Sequence, residues 1–489
     1  MKVLAGIIVG FVILMASPGA IIAQDVYISL PASNIFSRSE YNTIENVLNT
    51  NGYDRWRKLL GLLGIALLAE SPNFSSTQSS FRIDTEKTLP TNVLQWQLST
   101  IGGSTNIQGG SIPGYNTFGS GEQTWFNLSL LSIGIGSDYS PGNVAFKFRI
   151  AASNFINYAF HAGNYTLPVV QNYGTPSSIL ESNIIFSPAS FNMILSIPAS
   201  IAWLSGEASI FFEITSLNQY RSASEHILGD IGGAELGHTV DFDLRARAAS
   251  PNIQFTSSKN VQGTRNISLI RLGSTNSHLT TSALSANWQD FTISPFEIQV
   301  GNRTNFTQEL SISANDFKNH FFEAGTYTFQ LIRDARSLDN SASNMQTTDV
   351  SIVVPALSEI SIGSSGQTVN FSFNSPAHYT QGQSKVIPGH LRLSNNEDFE
   401  LYVKSSTSYF AKSGIQSDVA SSTLHVGLGQ NPDNLPLSTI PQKIISNGNP
   451  VLDQEIDIRY TIPPQKAQSL LDKEKTGYTI DVIYSFTAL

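Results

Sequence analysis

The chain has 489 residues, no cysteine and a formal net charge of −9, which excludes disulfides and thiolate metal sites and argues against nucleic acid or an anionic membrane as partner. Only 13% of residues are charged, but 40% are apolar and 10% aromatic, so there is enough to bury and the chain is not a disordered one. The length exceeds what one hydrophobic core fills, and about three domains of ~150 residues are expected.

The first stretch reads as a secretory signal over residues 1–23. Lys2 gives the positive start, Val3 to Met15 the apolar run, and Ser17-Pro18-Gly19 the breaker before Ala23. The run is shorter than the ~20 residues a spanning helix needs, so export without a membrane span is expected. Removing Lys2 takes the balance from 28 − 37 to 27 − 37, a net charge of −10. An exported chain without cysteine points to a bacterial secreted or cell-surface protein.

The remainder reads as three tandem units, 24–193, 194–350 and 351–489. Each is expected to open on a strand that meets proline: ISLPAS from Ile28, LSIPAS from Leu195 and IVVPAL from Ile352. A strand centred on aromatic-x-Leu follows, namely Trp96-Gln97-Leu98, Phe242-Asp243-Leu244 and Phe399-Glu400-Leu401, and DFDLRARAAS and DFELYVKSST run in register 157 residues apart. Next come NLSLLSIG from Asn127, NISLIRLG from Asn266 and TLHVGLG from Thr423. Ile150 to Val170 then matches Ile312 to Ile332, with Phe155, Phe160, Gly163 and Tyr165 facing Phe317, Phe322, Gly325 and Tyr327. This stretch reads as a strand, a short helical turn, a glycine and a closing strand. A looser copy leads through Gly477-Tyr478-Thr479 into IDVIYSFTAL. Period-two alternation and Gly/Asn clusters between short strands predict an all-β fold of antiparallel sandwiches, immunoglobulin-like or pilin-like.

One segment breaks the pattern. From Pro to aromatic-x-Leu the first unit needs 65 residues, against 44 in the others. Residues 39–69 carry Tyr41, Ile44 and then Trp56, Leu59, Leu60, Leu63 and Leu67 at helical spacing, which predicts an α-helical insertion. Trp56, Leu60, Leu63 and Leu67 are its candidate partner contacts; the alternative is a helix packed over its own sandwich.

The chemistry-bearing residues are scattered. Glu225, His226, Asp230, Glu235 and His238 lie close in sequence but match no metal spacing, and Asp453, Glu455 and Asp457 alternate as a solvent face does. Neither a nucleophile elbow nor a phosphate loop nor a dinucleotide fingerprint is present, so no catalytic residue and no cofactor is assigned. Trp125, Trp203, Trp288 and Tyr115 could stack on sugars or fill cores.

The Trp96-Gln97-Leu98 strand and the closing strand YTIDVIYSFTAL resemble the two signature regions of WxL-type bacterial surface domains, with Phe for Trp in the later units and Tyr484-Ser485-Phe486 at the second motif. That resemblance implies a surface protein held noncovalently to the cell wall; a pilin-like or adhesin stalk is similar too. The expected function is a non-catalytic structural or adhesive surface protein. Its expected partners are other surface proteins or envelope polysaccharide, with self-association through strand edges. An extracellular carbohydrate-binding protein and an exported glycan hydrolase are the alternatives.

Overall fold

The structure, a computed structural model, describes residues 25–43, 46–48, 58–60, 65–67, 72–103, 107–111, 113–118, 123–124, 127–135, 141–173, 190–363, 367–431 and 434–488. The expected signal peptide lies outside them. Three apolar cores follow one another along the chain, from Val26 to Ile197, from Ile201 to Val354 and from Leu391 to Ala467. Each is enclosed by short, almost wholly antiparallel strands, so the fold is all-β and built of sandwich units.

The second sandwich shows the plan most fully. Its second strand in chain order, Ser209–Glu213, which follows Ile201–Ser205, runs parallel to its last strand, Ser343–Val354. That strand lies antiparallel to the return strand, Gly325–Ser337. Beyond the return strand come Phe242–Ala248 and Asn252–Ser257. Phe242, Leu244, Ala246 and Ala248 are buried while Asp243, Arg245 and Arg247 face outward, so a strand of period two pays its ordering entropy with one apolar face. The facing sheet pairs Ile270–Gly273 with Glu309–Ile312. The first sandwich repeats the order: Val26–Ser29 parallel to Ser190–Ile197, then the return strand Gly163–Tyr173, then Pro72–Ser75 and Ser80–Arg82.

The recurrent Gly-x-Tyr-Thr and Gly-Tyr-Thr stretches have a local cause. A short helix, Asn154–Asn157 in the first unit, Ala314–His320 in the second and Pro464–Gln468 in the third, turns the chain towards the return strand. Ser313 caps the second by accepting from the Asp316 N–H at 3.2 Å. Gly325 sits at φ +152, where a Cβ would stand 2.3 Å from the Thr256 carbonyl oxygen, so only glycine fits. The tyrosine then pins the corner. Tyr327 donates to the Glu323 carbonyl and Tyr478 to the Glu474 carbonyl, both at 2.9 Å, while the Tyr165 hydroxyl accepts from the His161 N–H at 3.0 Å.

Several sequence expectations are corrected. LSIPAS and IVVPAL do not open units; Leu195 and Ile352 belong to last strands, and the prolines follow those strands as connectors. The strand read as closing each unit is likewise followed by a further strand in the first two. The boundaries read at 193/194 and 350/351 fall inside last strands, and the joints lie a few residues later, at Pro198 and Pro355. Trp96-Gln97-Leu98 belongs to Gln95–Gly103, which pairs with Pro141–Ile150 and so corresponds to Ile270–Gly273, not to Phe242-Asp243-Leu244. The first unit's counterpart of the latter is Pro72–Ser75, and Asn127–Ile135 pairs with Ile107–Ser111 and Ile65–Leu67 instead.

Residues 39–69 form no helix where they are described. Tyr41–Asn42 and Asn46–Leu48 pair with Pro141–Ile150, and Lys58–Leu60 with Ile65–Leu67. Gly61 and Gly64 interrupt the apolar run, each weakening a helix by about 1 kcal/mol relative to alanine. A short apolar run has no period strong enough to tell helix from strand.

Candidate functional site

Two joints connect the sandwiches, and one device builds both. At the first, the Thr239 hydroxyl donates to the Pro198 carbonyl at 2.7 Å and accepts from the Ser200 N–H at 2.9 Å. The Thr239 carbonyl accepts from the Ala162 N–H of the preceding sandwich at 2.7 Å. At the second, 157 residues on, Asn396 donates from Nδ2 to the Pro355 carbonyl at 2.8 Å and accepts at Oδ1 from the Leu357 N–H at 2.7 Å. Its carbonyl accepts from the Ala324 N–H at 3.0 Å. Thr239 and Asn396 have no exposed surface. Hydrogen bonds that saturate buried groups on both sides of a linker leave it no cheap alternative conformation.

Additional contacts lock each joint. Asn302, fully buried, accepts from the Phe160 N–H at 2.8 Å and donates to the Phe160 and His238 carbonyls at 2.7 and 2.8 Å. Its φ of +54 is one that asparagine tolerates better than most residues. Arg303 donates to the Phe36 carbonyl in the first sandwich and pairs with Glu235 at 3.0 Å. At the second joint Arg221 pairs with both Asp453 and Glu359 at 2.7 Å, and Arg392 reaches Asp453 at 3.1 Å. Hydrogen bonds from Arg221, above all, hold the Asp453 carboxyl down at about 2.

The third sandwich differs from the others at one edge. Its return strand, Val482–Ala488, pairs with Phe399–Ser405 on one side, and no described residue pairs with it on the other. Pairing registers align Phe242 opposite Ser337 with Phe399 opposite Ala488, so Tyr327, Phe329, Leu331, Arg333 and Ala335 correspond to Tyr478, Ile480, Val482, Tyr484 and Phe486. The first five are buried; the second five are all half-buried. By the 157-residue offset Val369 and Phe371, in a stretch that pairs with no strand among the described residues, match Phe212 and Ile214 and are half-buried where those two are buried. Lys385 lies over the Phe371 ring at 5.7 Å. Among the described residues no strand of the third unit takes the place that Ser190–Ile197 and Ser343–Val354 hold in the other units. Behind this edge the Tyr484 and Tyr460 hydroxyls meet at 2.7 Å and Tyr460 meets His390 Nε2 at 2.9 Å, with burial pushing the Tyr460 hydroxyl up to about 12.

The residues singled out from sequence are dispersed. Glu225 contacts Ser311 and Arg271, His226 stacks on Phe317 at 4.0 Å, Glu235 serves Arg303, and His238 is buried between the Val240 carbonyl and the Thr304 hydroxyl. Burial lowers the His226 and His238 pKa. Among the described residues no group of three or more metal-ligating side chains comes together, and no helix is long and apolar enough to cross a membrane. Asp457 accepts from the Gly389 N–H at 2.8 Å rather than joining Asp453. Trp203 donates to the Asn344 carbonyl and faces Arg333, Trp288 lies under Arg245 and Arg247, and Tyr115 under Arg149. Trp125, Trp56 and Leu63 lie outside the described residues, while Leu60 and Leu67 lie in the strands Lys58–Leu60 and Ile65–Leu67. Sequence reasoning missed Thr239, Asn396 and Asn302. The 157-residue offset that aligned Phe242 with Phe399 would also have paired Thr239 with Asn396, three positions before each.

No protein-family model matches the chain, and no curated protein matches it. Among solved structures it is similar to a chain of the chaperone–tip adhesion subunit pre-assembly complex from the archaic chaperone-usher Csu pili of Acinetobacter baumannii. The identity is 14%, over 58% of this chain and 99% of that one, with a TM-score of 0.29. It is also similar to CfaE, the adhesive subunit of CFA/I fimbria of enterotoxigenic Escherichia coli, at 8% identity over 68% and 98% with a TM-score of 0.27. The CupB6 tip adhesin of Pseudomonas aeruginosa follows at 9% identity over 59% and 94%, TM-score 0.26. At these scores the likenesses are too distant to transfer any role.

Proposed function

We propose that this is a non-catalytic structural or adhesive protein of the cell surface, in which three sandwiches held in fixed relation carry contact surfaces away from the envelope. The single observation that supports this most is the repeated joint, Thr239 at one linker and Asn396 at the next, each spanning two sandwiches with buried hydrogen bonds. A device repeated at 157-residue spacing fixes orientation, which a spacer requires and an independent set of domains does not. Of the chemistry-bearing residues singled out in the sequence, His238 is held by Thr304, Glu235 by Arg303 and Asp453 by Arg221. The aromatic rings a sugar platform would need are mostly covered by arginines. In this reading the first sandwich's residues around Leu60 and Leu67 are a second contact face, and the wall attachment implied by the WxL resemblance is one form the envelope contact takes.

The test is sedimentation of the purified chain from Gln24 onward with washed cell envelopes and, separately, with peptidoglycan. Retention on envelopes is expected. A chain found wholly in the supernatant in both would overturn the surface role, and retention abolished by soluble glycans alone would favour the carbohydrate-binding alternative.

A further inference from the structure

Among the described residues only three aromatic rings are exposed: Tyr27 at 62%, Phe211 at 61% and Tyr409 at 40%. The first two stand at one structural position. Gly163 opposite Ile197 and Gly325 opposite Val354 put the sheets of the first two sandwiches in the same register, and in that register Tyr27, opposite Ile194, coincides with Phe211, opposite Ser351. Each ring points outward from the end strand of its sheet, beside neighbours that point into the core, Val26 and Ile28 in the first sandwich and Phe212 in the second. One exposed ring needs no explanation, but the same one in strands as different as VYIS and SIFFE does. The polar neighbours recur too. In the next outward row, about 7 Å along the strand, a carboxylate and an amide are bonded to each other: Asn192 Nδ2 donates to Asp25 at 3.1 Å in the first sandwich, and Gln330 Nε2 to Asp349 at 2.8 Å in the second. Asn192 and Asp349 again share one position, five residues before Ile197 and Val354. Among the described residues no cation lies over Tyr27 or Phe211, unlike Tyr115, Trp288 and Trp203.

We propose that Tyr27 and Phe211 are the stacking platforms of two equivalent binding sites for a neutral polysaccharide. The apolar C–H face of a hexopyranose unit lies on the ring. Its hydroxyls meet the adjoining pair, Asp25 with Asn192 or Asp349 with Gln330, in which the carboxylate accepts and the amide both donates and accepts. Carboxylates beside each ring, with Glu213 two residues after Phe211, disfavour an acidic polymer. A protein partner fits less well: Ser209, Glu213, Ser351 and Thr328 surround Phe211, so the ring is not the centre of the apolar patch on which a protein interface is built. By the 157-residue offset the third sandwich has Thr368 at this position and carries no such platform. The inference deepens the surface role by naming polysaccharide as the partner of two sandwiches, and it rests on that role only for where the polymer is met.

The test is equilibrium dialysis of the full chain against labelled oligosaccharides cut from cellulose, chitin, laminarin, mannan, galactan and dextran, with alginate fragments as the acidic control. At least one neutral fragment should bind at two molecules per chain, and alginate should not bind. Tyr27→Ala and Phe211→Ala should each weaken one site by about tenfold or more and leave one molecule bound, and the double variant should bind none. Tyr27→Phe and Phe211→Tyr should keep both sites. Because both rings are exposed, the melting temperature should stay unchanged in every variant. If no neutral fragment binds, or if binding survives the double variant, the proposal is overturned. A wild-type dimer that the double variant turns into a monomer would make a second copy the occupant and overturn the choice of polysaccharide. The two readings fail separately: a chain retained on envelopes that binds no fragment keeps the surface role and loses this inference, and a chain that binds fragments without being retained does the opposite.

Discussion

The second and third sandwiches keep one offset of 157 residues from Ile201 to Ala248, facing Ser358 to Ser405, and the pairings of Ile201 with His238 and Ser358 with Asn395 sit in the same register. The two nevertheless differ in what covers the return strand. In the second, a last strand of 12 residues closes the sheet; in the third, Ile483 is 39% exposed and its inward neighbours are half-covered. A shared sequence pattern therefore fixes the pleat and the register of a unit, while the completeness of its core depends on a strand that the pattern itself does not contain.

The sharpest way to test this contrast is a pair of equivalent truncations. Tyr327→Ala removes a fully buried ring and its hydrogen bond to Glu323, and should destabilise the second sandwich by about 3–5 kcal/mol. Tyr478→Ala, which removes the matching hydrogen bond to Glu474 on a half-covered ring, should destabilise the third by only about 1–2 kcal/mol. Calorimetry of the two variants checks it, and equal losses would mean that the third core is closed. Next in size is the first joint. Asn302→Ala leaves the Phe160 N–H and the Phe160 and His238 carbonyls unpaired, and should lower stability by about 2–4 kcal/mol. Spin labels on the first two sandwiches should also show a broadened distance distribution in this variant.

A smaller effect is expected at the second joint. Asp453 titrates at about 2 when folded and at about 3.9 unfolded. The unfolded state therefore binds more protons between those values, so the contribution is complete above about pH 4 and is lost as pH falls towards 2. Asp453→Asn should flatten that part of the stability profile, measured by denaturant titration at pH 2.5, 4 and 6. The smallest change belongs to Arg333, buried in the return strand and held by Gln308, Gln346, Thr348 and the Trp203 face. Because burying a charge is expensive and Asp230 acts on it only at a distance, Arg333→Met should shift stability by no more than about 1 kcal/mol in either direction.

How much could be read from sequence follows the same division. Alternation in Phe242–Ala248 and Phe399–Ser405 and the Gly-Tyr-Thr corner predicted strands and turns correctly, because period and glycine conformation are local properties. The Trp96 register was misread because aromatic-x-Leu recurs by chance in a chain rich in both, and only the pairing of Gln95–Gly103 with Pro141–Ile150 decides the matter. The described parts of residues 39–69 depart from the expected helix because Tyr41–Asn42 and Asn46–Leu48 pair with Pro141–Ile150 and Lys58–Leu60 with Ile65–Leu67. The joints and the open edge depend on contacts between residues far apart in the chain, such as Thr239 with Ala162 and Asn396 with Pro355, and no local signal carries those.

The most direct measurement is hydrogen exchange on the free chain, comparing Val482–Ala488 with Gly325–Ser337. The account predicts that the amides of Val482–Ala488 facing the open edge exchange quickly while those of Gly325–Ser337 stay protected. Equal protection of the two return strands in a monomer would contradict it.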